Sequence, residues 1–326
     1  MRKHRQTISA DLADSYYHVT TRTVNGEELF GAPEKEVLRK IILSTAEFCG
    51  VQIITHAEMI NHFHLVARVP MRSELSDAEL FRRFALLHPG TSIWRQRRLR
   101  TVELILERNG PEAAAWRARQ LRQMNDISAF VKLVKQRFSI WFNRNHARFG
   151  TLWAERFKSN LLQLGPAVLR MTAYTDLNGF RAGLCADPKD YRFCGYAEAV
   201  AGNGRARQGA VIAMGIEDAD EALLAYRLIL MSVATYAKNG GKTVTADQLA
   251  KVIAAGGSLS FAELLACKCR YLTDGAVLGS KAFVMEQIVR MRKATGRGQK
   301  TVPRDLPEAG SELAIMVNVM PAAKMT

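Results

Sequence analysis

Apolar residues along the first 70 positions follow two periods, and each period predicts one kind of element. The segment from Tyr16 to Arg22 is rich in β-branched and aromatic residues and predicts a strand. After Pro33, apolar residues recur at 3.6-residue spacing until Gly50, which predicts an amphipathic helix. Segments 51–59 and 62–69 predict two further strands, and the short corner between them predicts a hairpin.

A second helix and a fourth strand extend this pattern. Apolar residues from Ile127 to Phe142 trace one helical face, and Ser159 to Leu164 predicts a short strand. The resulting order, β-α-β-β-α-β, is that of a ferredoxin-like sheet. We therefore expect an α+β fold with a ferredoxin-like antiparallel sheet and packed helices.

A long insertion, about residues 71–126, separates the third strand from the second of these helices. It contains two helical patterns, and its length indicates a function or a subdomain. Beyond the fourth strand, Gly165-Pro166 opens another helix, on which Leu169, Ala173 and Leu177 form an apolar stripe.

The remaining sequence predicts a second region joined by a linker. Residues 1–200 are expected to form the first domain, and the glycine-rich segment 201–209 the linker. The region 210–293 is expected to be all-helical, and the basic tail 294–326 to be loose. The helices of the region 210–293 are predicted at 221–237, 246–255, 260–269 and 280–292.

The charge of the chain narrows the choice of partner. The 326 residues include 46 Lys and Arg against 31 Asp and Glu, a net charge of +15. Between Arg82 and Lys158 there are 17 basic and 5 acidic residues, so this quarter of the chain carries +12. A basic surface also suits anionic lipid or simple solubility, but this clustering favours nucleic acid.

Composition excludes several other classes of protein. Hydrophobic residues make up 48% and charged residues 24%, as in ordinary globular proteins. No apolar run is long enough to predict a membrane helix, and no apolar segment follows the basic start as in a signal peptide, so we expect a cytoplasmic protein without membrane contact. Five scattered cysteines predict reduced thiols.

Two short patterns carry candidate chemistry. His62 and His64 are two apart on a predicted strand, so their imidazoles project side by side and supply half of a metal site. Such pairs also arise by chance as solvent-facing or hydrogen-bonded histidines. Tyr174 and Asn178 are four apart on a predicted helix and share a face, although a single tyrosine at a core edge is common.

Four ordered motifs together resemble a known family. They are Tyr-Tyr-His-Val-Thr-Thr-Arg from Tyr16, Asn-His-Phe-His from Asn61, Gly-Thr-Leu-Trp-Ala-Glu-Arg-Phe-Lys-Ser from Gly150, and Tyr-x-x-x-Asn-x-x-Arg-Ala-Gly from Tyr174. This set is similar to the HUH single-tyrosine transposases, in particular the REP-associated branch. The resemblance covers about residues 14–70 and 127–200. The chain departs from the family where Ile60 and Gly179 stand at positions that are usually proline.

The resemblance implies a fold and a chemistry. It implies the HUH endonuclease fold, with His62 and His64 as metal ligands, Asn178 completing the metal shell and Tyr174 as the nucleophile. The ion would be Mg²⁺ or Mn²⁺, because it must also accept phosphate and water oxygens. The activity would be transposition or site-specific cleavage of single-stranded or hairpin DNA, such as repeated palindromes, through a 5′-phosphotyrosine intermediate.

Basic residues near these motifs are the predicted DNA contacts. They are Arg95, Arg97, Arg98, Arg100, Lys132, Lys135, Arg137, Arg144, Arg148, Arg156, Lys158 and Arg181. Two alternatives stay open: a domesticated DNA-binding regulator that has lost productive cleavage, and a metallohydrolase that uses only the histidine pair. The sequence leaves the oligomeric state open between monomer and homodimer.

Overall fold

A seven-stranded sheet lies at the centre of the computed structural model, which describes residues 6–238, 275–296, 301–306 and 312–317. Its strands are β1 (Ser15–Arg22), β2 (Gln52–Glu58), β3 (His62–Val69), β4 (Lys158–Leu162), β5 (Gly275–Ser280), β6 (Arg304–Asp305) and β7 (Leu313–Val317). The strand order is β2-β3-β1-β4-β5-β7-β6. All neighbours are antiparallel except β4 and β5. The predicted α+β fold is confirmed.

Helices cover both faces of this sheet. They are α1 (Ala32–Cys49), α2 (Asp77–Leu86), α3 (Ile93–Arg108), α4 (Pro111–Leu121), α5 (Ile127–Asn145), α6 (Pro166–Asp176), α7 (Asn178–Arg181), α8 (Gly195–Val200), α9 (Gly204–Met214), α10 (Ala219–Lys238) and α11 (Lys281–Thr295). Within the described ranges, none of them combines the length and apolar character needed to cross a bilayer.

Alternation along the strands builds two separate cores. On β1, Tyr17 and Val19 are buried with the residues of α1 and α5 on one face of the sheet. Tyr16 faces the other way and is buried with Val168 and Met171 of α6. Successive strand residues point to opposite faces, so His18 lies on the α6 side.

The insertion contains three helices, one more than predicted. Asn109 adopts a left-handed conformation with φ of 46° at the end of α3, and Pro111 then starts α4. This turn separates α3 from α4. Phe84, Val102 and Trp116 of the three helices join the core on the α1 and α5 side of the sheet.

The predicted linker at 201–209 is wrong, because helix α9 occupies most of it. The side chain of Asn203 accepts hydrogen bonds from the backbone N–H groups of Arg205 and Ala206 and so caps this helix. Gly209 lies directly against β2, where an added Cβ would stand 2.0 Å from the carbonyl oxygen of Ile54. Of the glycines in this segment, Gly209 permits close packing, whereas Gly202 and Gly204 have open space around them.

The C-terminal region also differs from the all-helical prediction. Strand β5 pairs with β4 through Leu161 and Val277, and β7 pairs with β5. The predicted loose tail therefore contains two strands of the sheet, and Ala314 within it is fully buried. The helices predicted at 246–255 and 260–269 lie outside the described residues.

Candidate active site

The sheet brings three histidines to its α6 face. His64 pairs with Thr20 across β1 and β3, and His62 pairs with Arg22 at the end of the same ladder. His18 lies two residues before Thr20 and therefore on the same face. Helix α6 packs over this face and carries Tyr174.

The rings of these residues lie close together. The ring centroids of His62 and His64 are 5.0 Å apart, with an angle of 82° between the planes. The ring of Tyr174 lies 5.9 Å from His64 and 6.1 Å from His18. The predicted histidine pair and the predicted tyrosine thus lie at one site, at the start of β3.

His18 is a member of this site that sequence reasoning missed. Its Nε2 lies 3.0 Å from Nδ1 of His64, and the two rings are stacked with centroids 5.2 Å apart. Burial lowers the pKa of His18 to about 3 and, together with the neighbouring cationic groups, lowers that of His64 well below its usual value. Both imidazoles are therefore neutral at pH 7. The histidine has no sequence pattern of its own, and the β1–β3 pairing alone reveals it.

Hydrogen bonds determine the tautomer of His62. The side-chain nitrogen of Asn61 donates to the carbonyl of Gly26 at 2.8 Å, which turns its oxygen towards His62. Nδ1 of His62 lies 2.7 Å from that oxygen and must donate to it. In the neutral form of this ring Nε2 then carries the lone pair, and Nδ1–H donation to a protein oxygen is typical of metal-binding histidines.

Arg181 and Asn178 surround Tyr174. The guanidinium carbon of Arg181 lies 4.1 Å from the centroid of the tyrosine ring, and the same side chain donates to the carbonyl of Tyr174. The amide nitrogen of Asn178 donates to the carbonyls of Tyr174 and Thr175, at 3.1 and 3.0 Å. Asn178 is half-buried one turn after the tyrosine, and these bonds hold it against the end of α6.

Several other buried tyrosines of the described chain are held by structural bonds. The hydroxyl of Tyr191 donates to the carbonyl of Glu58 at 2.6 Å, and that of Tyr17 accepts from the backbone of Ile8. Tyr191 also packs against Gly179, where an added Cβ would lie 2.6 Å from its ring. This contact explains glycine at a position where the resemblance leads one to expect proline.

The donor set fits a divalent cation only with added oxygen ligands. Within the described ranges, no group of three His, Cys, Asp or Glu side chains is arranged to hold a metal ion. His62 and His64 supply two imidazoles, and the side-chain amide of Asn178 lies one turn after Tyr174. Such a set suits an ion that takes its other ligands from water and phosphate.

The predicted DNA contacts fall into two groups. Those on the exposed surface are Arg97, Arg98, Arg100, Lys132, Arg144, Arg156 and Lys158. Others are engaged within the protein: Arg95 donates to the carbonyl of His88, Lys135 to that of Glu155, Arg148 pairs with Glu27, and Arg181 stacks on Tyr174.

Arg137 differs from the prediction. It donates to the hydroxyls of Ser44 and Thr45 and to the carbonyl of Leu87, and burial lowers its pKa. Its guanidinium therefore joins α1, α2 and α5 and does not present its charge to a ligand.

Comparisons with known proteins give a structural likeness but no sequence match. No family model matches the chain, and no curated protein sequence shows significant similarity to it. A solved structure of a REP-associated tyrosine transposase bound to a REP hairpin aligns with a TM-score of 0.40 and 12% sequence identity. The alignment covers 62% of this chain and 87% of the other.

Proposed function

We propose that this chain is a metal-dependent DNA-strand transferase that cleaves single-stranded or hairpin DNA with Tyr174 as nucleophile. The observation that carries the proposal is the meeting of Tyr174 with His62, His64 and Arg181 at one end of the sheet. A phenol beside neutral imidazoles and a guanidinium suits attack on a phosphodiester. The exposed basic residues between Arg97 and Lys158 support a polyanionic substrate.

The proposed reaction exchanges one phosphodiester for another. The hydroxyl oxygen of Tyr174 loses its proton and bonds to phosphorus, while the bond from phosphorus to the 3′ oxygen breaks. The leaving oxygen takes up a proton and becomes a 3′-OH, and the other fragment stays on the protein as a 5′-phosphotyrosine. A 3′-OH that later attacks the same phosphorus restores the tyrosine, so no nucleotide hydrolysis is needed. Arg181 places positive charge against the ring that becomes negative.

His62, His64 and Asn178 are the residues that would hold Mg²⁺ or Mn²⁺ in this proposal. Bound there, the cation would withdraw electron density from a non-bridging phosphate oxygen and so favour attack. The tautomer of His62 leaves its Nε2 lone pair as the donor to such an ion.

A covalent-adduct assay tests the proposal. A hairpin oligonucleotide with a 3′ label is incubated with protein and Mg²⁺ or Mn²⁺, because the protein stays on the fragment that carries the 3′ end. Wild-type protein should give a denaturant-resistant labelled band, and Tyr174→Phe should give none while it binds the hairpin with nearly unchanged affinity. Tyr16→Phe is the matched control, since Tyr16 is another buried tyrosine on the α6 side.

A DNA-binding regulator without cleavage is the second candidate function. It is favoured by the position of Asn178, whose amide nitrogen is bonded to two backbone carbonyls at the end of α6. A regulator would bind hairpins but form no adduct with either metal. An adduct that persists in Tyr174→Phe would instead contradict the assignment of the nucleophile.

A further inference from the structure

An exposed tryptophan stands at the start of α3 in the insertion. The side chain of Trp94 is 75% exposed, and its neighbour Ile93 is 57% exposed. Trp116 and Trp153, by contrast, are buried in the core. A large indole left in water in this way commonly marks a contact with a partner.

An arginine stacks near this indole. The guanidinium carbon of Arg97 lies 5.8 Å from the centroid of the Trp94 ring, within the range of a cation–π contact. Residues three apart on a helix are neighbours, so both side chains point the same way. Thr101, Leu104 and Arg108 continue this exposed face along the helix.

The charge of α3 is largely uncompensated. Both glutamates of the helix, Glu103 and Glu107, lie near Arg100. In the part of the chain that the structure describes, Arg97 and Arg108 have no carboxylate partner, and the same is true of Arg95 and Arg98. The helix therefore offers net positive charge next to an open aromatic ring.

This surface is separate from the candidate active site. The insertion joins the core on the α1 and α5 side of the sheet through Phe84, Val102 and Trp116. Tyr174 and the three histidines lie on the α6 side. A ligand bound at Trp94 is thus on the opposite side of the sheet from Tyr174 and the three histidines.

We infer that Trp94 and Arg97 form a second nucleic-acid anchor, in which the indole stacks on an unpaired base and the guanidinium contacts the adjacent phosphate. Base–aromatic stacking together with a basic track is how proteins bind single strands. The inference rests on the proposed function in taking the partner to be nucleic acid. It adds that the substrate carries an unpaired segment that extends beyond the cleavage site.

A helical protein partner fits this face less well. Trp94, Arg97, Thr101, Leu104 and Arg108 have the 3-4 spacing of a coiled-coil seam. Only two of the five are apolar, so a partner helix would have to bury two arginines without a carboxylate. A polyanion satisfies the same arginines directly.

The test compares strands that differ only in their bases. End-labelled dT20 and an abasic phosphodiester strand of equal length are titrated with protein in EDTA, and binding is followed by fluorescence anisotropy. We expect Trp94→Ala to lose about tenfold in affinity for dT20, within the range of a base–aromatic stack, and nothing for the abasic strand. Trp94→Phe should bind dT20 nearly as wild type does, and Arg97→Gln should lose affinity for both strands.

Controls separate this site from other exposed apolar groups. Leu228→Ala removes a side chain that is 67% exposed on α10 and should change nothing. Phe149 is 93% exposed in the loop before β4, and a loss confined to Phe149→Ala would move the stack there and overturn the inference. An unchanged dT20 affinity in folded Trp94→Ala would also overturn it. Because no metal or cleavage is involved, this result is independent of the Tyr174 adduct.

Discussion

The bond between His18 and His64 decides which nitrogen of His64 faces a ligand. If Nδ1 of His64 donates to Nε2 of His18, the remaining nitrogen of His64 carries its lone pair towards the site. His18 is then a positioning residue that fixes the ring and tautomer of a proposed metal ligand. Partners of this kind commonly contribute 10- to 100-fold, in rough terms, to metal affinity.

We therefore expect His18→Ala to weaken Mn²⁺ binding by about 10- to 100-fold, as measured by calorimetric titration. The His62→Ala, His64→Ala double variant should abolish binding. His146→Ala is the control, because His146 is partly exposed and lies beside Glu34, away from these rings. Equal Mn²⁺ affinity in His18→Ala and wild type would show that His18 serves packing alone.

The contrast between His62 and His18 shows what the sequence can predict at this scale. His62 and His64 are recognisable because strand geometry places residues two apart on one face. Tyr174 and Asn178 are recognisable because a helical turn places them together. His18 is 46 residues from His64, so only the pairing of two strands brings them into contact. Arg137 was misassigned for the same reason, since its partners lie on other elements.

At the scale of elements, α9 packs closely against the sheet at Gly209. Gly209 meets the carbonyl oxygen of Ile54, whereas Gly204 in the first turn of the same helix has open space around it. We expect Gly209→Ala to lower the free energy of unfolding by about 1–3 kcal/mol, because the added methyl group must push α9 away from β2. Gly204→Ala should have little effect. Urea denaturation of both variants checks this, and equal stabilities would show that the packing of α9 on β2 does not depend on this close approach.

Asp176 joins the end of α6 to three other elements. Its carboxylate accepts hydrogen bonds from Thr55 of β2, the backbone of Tyr196 in α8, and Tyr226 of α10. Burial raises the pKa of Asp176 to about 6, despite these bonds. Because Tyr174 is two residues away, this junction also positions the candidate nucleophile.

The raised pKa of Asp176 predicts a pH dependence of stability. Between about pH 4 and 6 the folded protein holds a proton that the unfolded chain has lost, so stability falls as pH rises through this window. The loss amounts to about 3 kcal/mol for two pKa units. In Asp176→Asn the amide oxygen can still accept from Thr55 and Tyr196, and the amide nitrogen can donate to the hydroxyl of Tyr226, so the variant should not show this loss. Between pH 4 and pH 7 the free energy of unfolding of the variant, measured by urea denaturation, should therefore rise by about 3 kcal/mol relative to that of wild type. No relative rise would mean that Asp176 ionises as easily in the folded protein as in the unfolded chain.

At the scale of the whole molecule, local sequence patterns predict strands β1 to β4 but miss strands β5 to β7, which extend the same sheet. Strands β1 to β3 and the helix between them are encoded by periodicity within short segments. Strand β5 has only a short apolar run around Val277, which periodicity cannot distinguish from a buried helical segment. Its pairing partner β4 is more than 100 residues earlier, so the seven-stranded sheet depends on contacts that no local pattern records.

The distribution of charge over the molecule leads to the last prediction. In the insertion, Arg97, Arg98, Arg119 and Arg122 are exposed and have no carboxylate partner among the described residues. If they contact single-stranded DNA, replacing all four with Gln should flatten the slope of log K against log salt by about 3, since each phosphate contact contributes about 0.7.

The control set removes the same charge elsewhere, from Arg192, Arg205, Arg207 and Arg290, and should leave the slope nearly unchanged. Binding titrations from 50 to 300 mM salt, on the order of the physiological range, measure both. Equal slopes for the two sets would show that net charge alone attracts DNA, and an unchanged slope for the insertion set would move the contacts to the segment 132–158.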